Sequence, residues 1–509
     1  MKLNTALLFS LMLLLTACKE TSRAVDFYSF ENCDNAMVYE VPEKALSITI
    51  ENIPLDTTLY ITKTNETKKI ISKDNAQYIT STQGITLNTK QSGQLSENFL
   101  TAPSSDFTPP KTFTKQEKLL TFDKAQEKLL KQTKKSVEKS YTTGNQKDIY
   151  IDVNSEMSVY KKKSAHLAAA GTYCYVWIID DYYTENLAQS AIRLSEAFNN
   201  MYQPIRNIFG KESDEMFGNY NGEYFEQKPM QCISVTGTKI NIVLYDIGMK
   251  NNGLVGYFSS KDYFPQDKDY ATEILKYSNA GKYIYIDSQW AEADAEMCRS
   301  TLAHEFQHMI QYNQKTLKHK LVPDNAFNEM MALICEDLMQ PKANNENLNS
   351  RLALFNTGYA ECGFEYRSES HYHAMLSYSV TYTFGAWLFN KYGGTELIHK
   401  MATNSYSGTK AITKATGKSM KELLKQFSID CVSKSKDSSF MWNLHKTDYD
   451  TEGYKYDGPL YYPYNTHHEI RPYGIVLVKV GKAEDTTVSL KFNKKDCTCT
   501  EHTYIVAVR

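Results

Sequence analysis

Thr301-Leu-Ala-His-Glu-Phe-Gln-His-Met-Ile310 carries two imidazoles and a carboxylate at a spacing that suits a catalytic metal. His304 and His308 stand four residues apart. On a helix turning about 100° per residue, both rings leave the same face one turn apart. Imidazole nitrogen is a natural zinc donor. Glu305 projects beside the pair, where it can take a proton from a metal-held water without ligating the metal. No Pro or Gly lies between Trp290 and Gln314, and Met297, Leu302 and Ala303 surround the motif with good helix formers. The same five residues also arise by chance, so the surrounding elements decide.

A catalytic zinc usually takes three protein ligands and leaves the fourth position to water. In H-E-x-x-H-x-x-G-x-x-H the third ligand is a His six residues on, but Gln311 and Gln314 occupy the Gly and His positions here. The other source is a Glu on a following helix. Phe327-Asn-Glu-Met-Met-Ala-Leu-Ile-Cys-Glu336 supplies it as Glu329, 21 residues after His308. Glu336 follows seven residues later, about 700° around a helix, and so lies on nearly the same stripe two turns away. It is either an outer carboxylate that orients a ligand imidazole or a plain helix-surface acid.

Asn328-Glu329, Ala332 and Glu336 resemble the N-E-x-x-A-x-x-x-E pattern of one-zinc aminopeptidases, and the ligand spacing is close to that of thermolysin-like proteases, both gluzincins. More broadly, Gly171 to Tyr392 resembles the hyicolysin-type neutral metalloproteases of bacteria. That resemblance rests on the strand with Trp177 and Asp180-Asp181, on Gly253-Leu-Val-Gly-Tyr-Phe258 and on Tyr283-Ile-Tyr-Ile-Asp287. It also rests on His304–His308, on Asn328-Glu329 and on the late segment Tyr378–Gly393.

The resemblance implies one Zn2+ per chain on His304, His308 and Glu329, with Glu305 as general base and a protein or peptide as substrate. It also implies an oxyanion-stabilising tyrosine on the late helix. Counting back from Gly393 selects Tyr378, while the Gly385-Ala386 pair favours Tyr382. The aminopeptidases precede their zinc helix with a Gly-x-Met-Glu-Asn segment that holds a substrate amino terminus. Nothing between Gly256 and His304 resembles it, which shifts the expectation to internal cleavage. The expected function is therefore a zinc-dependent endopeptidase. The alternative is an inactive protease fold serving as a surface adhesin or binding scaffold.

The elements around the motif fit an α+β class: a zincin-like domain (166–445) with a mixed sheet, an active-site helix and a following helical lobe. Tyr173–Ile179, Lys239–Ile247 and Lys282–Asp287 read as buried strands, and Ala188–Phe209 as a helix that Pro204 kinks or splits and Gly210 closes. Gly253–Phe258 reads as a glycine-punctuated turn. In a zincin upper lobe an edge strand beside the active-site helix can pair with an extended peptide. Apolar spacing over 395–432 predicts the helical lobe. Small β modules flank this domain at 38–90 and 446–509, and 91–165 reads as a linker followed by an amphipathic helix near Gln116–Lys131.

Lys2 and the apolar run Ala6–Leu15 form a signal segment (1–17) too short to span a membrane. Its end, Leu15-Thr16-Ala17-Cys18, resembles the lipobox of bacterial lipoproteins. That implies an exported protein anchored through acyl chains such as palmitate on Cys18, with 18–37 as tether. Lys19 does not resemble the acidic signal that retains lipoproteins at the inner membrane, which favours the outer membrane or cell surface. The net charge of −2 gives no electrostatic reason to expect nucleic acid. Cys298 and Cys335 sit on apolar helix faces and are expected as buried free thiols.

Overall fold

A computed structural model describes residues 21–87, 132–135, 140–153, 159–218, 231–234, 238–248, 255–264, 273–293, 295–319, 321–339, 354–434, 459–465, 468–493 and 501–509. The fold is α+β. Its centre is a six-stranded mixed sheet in the order Gly256–Phe258, Tyr283–Asp287, Ile240–Tyr245, Cys174–Ile179, Tyr160–Ala170, Gln146–Asp152. The Cys174–Ile179, Ile240–Tyr245 and Tyr283–Asp287 strands run parallel, and the outer strands antiparallel.

Both faces of the central strands are covered, which is why they read as unbroken apolar and aromatic runs rather than alternating ones. Val176, Ile242, Ile284 and Ile286 join the core shared with the helices. Trp177, Tyr245, Tyr257 and Tyr285 pack into a second cluster on the other face.

The Glu185–Phe209 helix starts at Thr184, whose side chain accepts from Leu187 N, and Pro204 does not split it. Proline removes one interior hydrogen bond. Buried Met201, Tyr202, Ile205 and Phe209 bracket that turn, and the Tyr202 ring stacks on Phe306 at 5.2 Å between centroids. Gly210 ends the helix at φ +92°, a conformation other residues rarely adopt.

Three regions differ from the sequence expectation. Gly256–Phe258 is not a turn but the outermost strand, with Gly256 opposite Ile286 and Phe258 opposite Ile284. Gly256 is required there: a Cβ would meet the Thr301 side chain and the Tyr285 carbonyl at 2.8 Å. A run of three residues is too short to announce itself by alternation.

The second difference is the boundary drawn at 166, which cuts through a strand. Gln146–Asp152 and Tyr160–Ala170 form a hairpin of the central sheet. Their alternation of buried Ile149, Ile151, Ala165 and Leu167 is obscured by Lys161-Lys162-Lys163, the exposed or half-buried start of the Tyr160–Ala170 strand.

The third concerns the flanking β regions, which are one unit. Thr58–Asn65 lies between Ile475–Ala483 and Glu501–Val508, and Val488–Phe492 between Ala45–Glu51 and Ile79–Gln83. The expected tether also carries strands, since Thr21–Asp26 pairs in parallel with Ala45–Glu51. Sheets with one apolar face need a covering layer, and each terminal region supplies strands that complete the other's sheets. The unit docks on the Met420–Ser433 helix. Ser428 Oγ donates to Thr62 Oγ1 at 3.0 Å, and Lys421 pairs with Glu40 at 2.8 Å.

Tyr312–Leu317 extends the motif helix as a π-helical turn. Within it the buried Lys315 ammonium, its pKa pushed down to about 7 by burial, donates to Met401 O at 2.6 Å and Asn404 O at 2.8 Å. It thereby caps the Gly394–Thr403 helix of the lobe. Among the described residues no helix is long and apolar enough to cross a membrane. Cys18 and the Gln116–Lys131 segment lie outside the described residues.

Candidate metal centre

Three helices build the site: Ala295–Gln311 with the motif, Asn325–Met339 with Glu329 and Glu336, and His371–Tyr392 with Tyr378. The His304 and His308 rings stand 4.5 Å apart between centroids, one turn from each other as the spacing predicts. The ligand atoms of His304, Glu305 and His308 all lie within 4.8 Å of one another. Glu329, only 1% exposed, faces the pair with both oxygens: Oε2 is 3.3 Å from His304 Nε2 and Oε1 is 3.7 Å from His308 Nε2.

These separations fit a shared ion. Donors about 2.0–2.1 Å from a tetrahedral zinc are about 3.3 Å from each other. A buried carboxylate also needs compensating charge. Among the described residues its ion-pair neighbours are these two imidazoles alone. Two nitrogens and one carboxylate oxygen are a donor set suited to zinc.

His304 Nδ1 lies 2.5 Å from Glu336 Oε1, and Glu336 Oε2 accepts from Ser300 Oγ at 3.0 Å. This arrangement assigns the proton to Nδ1 and turns Nε2 toward Glu329 and His308. Burial works against charge on His304, but the Glu329 and Glu336 carboxylates outweigh it and raise its pKa well above the usual histidine range. His308 is displaced the other way, by burial and then by its charged neighbour His304.

Glu305 is 4% exposed and its Oε2 accepts the Phe258 backbone N–H at 2.8 Å. Burial foremost, with Glu329 adding, pushes its pKa up to about 8, against the opposing charge of His304. The outermost strand and the carboxylate are thus bonded directly.

The two candidate tyrosines have different surroundings. Tyr378 is half-buried. Burial, followed by the nearby Glu329, Tyr366 and Glu305, raises its pKa well above the usual phenol range. Tyr382 is fully buried and donates to Asp337 Oδ2 at 2.9 Å. Gln314, where the excluded third His would stand, instead donates to Lys211 O at 2.7 Å and ties down the loop after Phe209.

Cys298 and Cys335 are buried thiols not joined in a disulfide, as expected. Sequence reasoning missed Ser300, although it lies one helical turn before His304 and spacing alone marks it. No known protein-family profile matches the chain. It is 24% identical over 336 residues to the neutral metalloprotease ShpI of Staphylococcus hyicus, an alignment spanning 61% of this chain and 68% of that relative. At this distance the similarity supports a peptidase of the metallo type, and the His304-Glu305-His308 cluster supports a bound metal ion.

Proposed function

We propose that the chain is a zinc-dependent endopeptidase acting on proteins outside the cytoplasm. The observation that carries this is the convergence of two imidazoles and buried Glu329 on one point, with Glu305 alongside. His304, His308 and Glu329 hold one Zn2+. When bound, the ion lowers the pKa of its water toward about 7 and polarises a carbonyl.

The protein's own groups do the rest. Glu305, pinned at Oε2 by Phe258 N–H, uses its other oxygen to accept a proton from the attacking water and return it to the departing amine. Tyr378 donates to the carbonyl oxygen as negative charge develops there. Gly256–Phe258 is the last strand of its sheet among the described residues, so an extended peptide can lie along it with the scissile bond beside Glu305. That geometry requires no free substrate terminus and supports internal cleavage. The complete set of ligands and base favours catalysis over a scaffold role.

Digestion of an unstructured protein followed by mass spectrometry is expected to give internal fragments; stepwise loss from one end instead would make the enzyme an exopeptidase. Glu336→Gln is expected to weaken zinc affinity about 10–100-fold by loosening His304, as measured by competition with a chromophoric chelator. Unchanged affinity would reduce Glu336 to a surface acid. Anchoring through Cys18 belongs to the same proposal, and Cys18→Ala is expected to move the protein from the membrane fraction to the soluble one.

A further inference from the structure

Tyr366 has no role in the chemistry above, yet it lies against Tyr378. The ring centroids are 6.1 Å apart with planes inclined by 37°. The Tyr366 hydroxyl is buried, and Tyr366 is among the neighbours that hold the Tyr378 pKa up. Tyr366 rides on an irregular strap, residues 362–370, that leads into the His371–Tyr392 helix.

That strap is fixed from two directions. On the helix side, Arg367 N donates to Ser377 Oγ at 2.9 Å, and Ser377 Oγ donates on to His373 O at 2.8 Å. The residue after Tyr366 is thereby bonded to the residue before Tyr378. From the β unit, Arg471 Nε bonds Glu365 Oε1 at 2.7 Å, and Phe364 N donates to Tyr473 O at 3.3 Å. Gly363 meets the same turn so closely that a Cβ would fall 1.8 Å from Pro472 O, and only glycine fits. Both chain neighbours of Tyr366 are therefore tethered, one to the catalytic helix and one to a unit that supplies no metal ligand.

We propose that Tyr366 is a positioning residue for Tyr378 and that the β unit, through residues 471–474, holds it in place. The proposal rests on the peptidase reading above. A lone phenol O–H rotates about its C–O bond. A second hydroxyl restricts that rotation and, once Tyr378 turns its proton toward a carbonyl oxygen, donates its own to the Tyr378 oxygen. Hydrogen bonds in such a chain polarise and strengthen one another. No covalent bond is made or broken at Tyr366.

The experiment is a double-mutant cycle in the full chain, with kcat, KM and zinc content measured for Tyr366→Phe, Tyr378→Phe and the pair. Tyr366→Phe is expected to lower kcat about tenfold, at the low end for loss of an outer hydrogen-bond partner, with KM and zinc content unchanged. In the Tyr378→Phe background the same change is expected to have no further effect. A wild-type kcat in Tyr366→Phe, or an equal loss in both backgrounds, overturns the proposal. Glu365→Arg and Arg471→Glu are each expected to lower kcat, and the charge-swapped double variant to recover most of it; wild-type kcat in both single variants overturns the part assigned to the β unit. Zinc-loaded wild-type enzyme with no turnover at all would instead overturn the peptidase reading on which the proposal stands.

Discussion

Glu305→Gln is expected to keep its zinc and lose about 10²–10⁴-fold in kcat, the usual contribution of a general acid–base group. The substitution is a narrow one. Glutamine has the same shape, its carbonyl oxygen still accepts the Phe258 N–H, and the ligands His304, His308 and Glu329 are untouched. What disappears is the ability to take and return a proton. A neutral amide also removes a carboxylate that burial already disfavours, so the variant should unfold no more easily than wild type. Lost turnover with stoichiometric metal and an unchanged melting temperature isolates the chemical step. Wild-type turnover in this variant would remove Glu305 from the mechanism.

The paired variants Tyr378→Phe and Tyr382→Phe should give opposite phenotypes although they lie one helical turn apart. Tyr378 lies close enough to Glu329 and Glu305 for their charges to raise its pKa, and removing its hydroxyl is expected to lower kcat by about 10²–10³, the loss typical of one donor to a developing oxyanion. KM and stability should change little. Tyr382 is committed to Asp337 within the core. Its loss is expected to leave kcat near wild type and to destabilise the fold by about 1–3 kcal/mol, because a buried carboxylate loses a donor. Denaturant unfolding alongside steady-state kinetics reads both. The reverse pattern would transfer the catalytic assignment to Tyr382.

The parts of the site legible in the sequence are those fixed by helical geometry. Spacings of four between His304 and His308 and of seven between Glu329 and Glu336 translate into a shared face without knowledge of the rest of the fold. Choosing between Tyr378 and Tyr382 needed tertiary structure, because both face the Asn325–Met339 helix and only packing decides which hydroxyl meets Asp337.

Other features were illegible for physical reasons. Gly256–Phe258 is a strand only because Tyr283–Asp287 lies beside it. The pairing of Val38 with Val506 joins opposite ends of the chain, and no local pattern records such a partner. Pro204 illustrates the reverse case: a local signal that could end a helix leaves it continuous where Tyr202 and Ile205 are buried around it. The two apparent β modules became one unit, which now supplies the turn that holds the strap of Tyr366.

The most direct test of the central claim is zinc content measured on the purified chain together with its turnover of an unstructured protein. The expected result is one zinc per chain, cleavage abolished by a zinc chelator and restored by added Zn2+, and loss of bound zinc in Glu329→Ala. A chain that binds no stoichiometric zinc after loading, or that cleaves equally well with the chelator present, would contradict it.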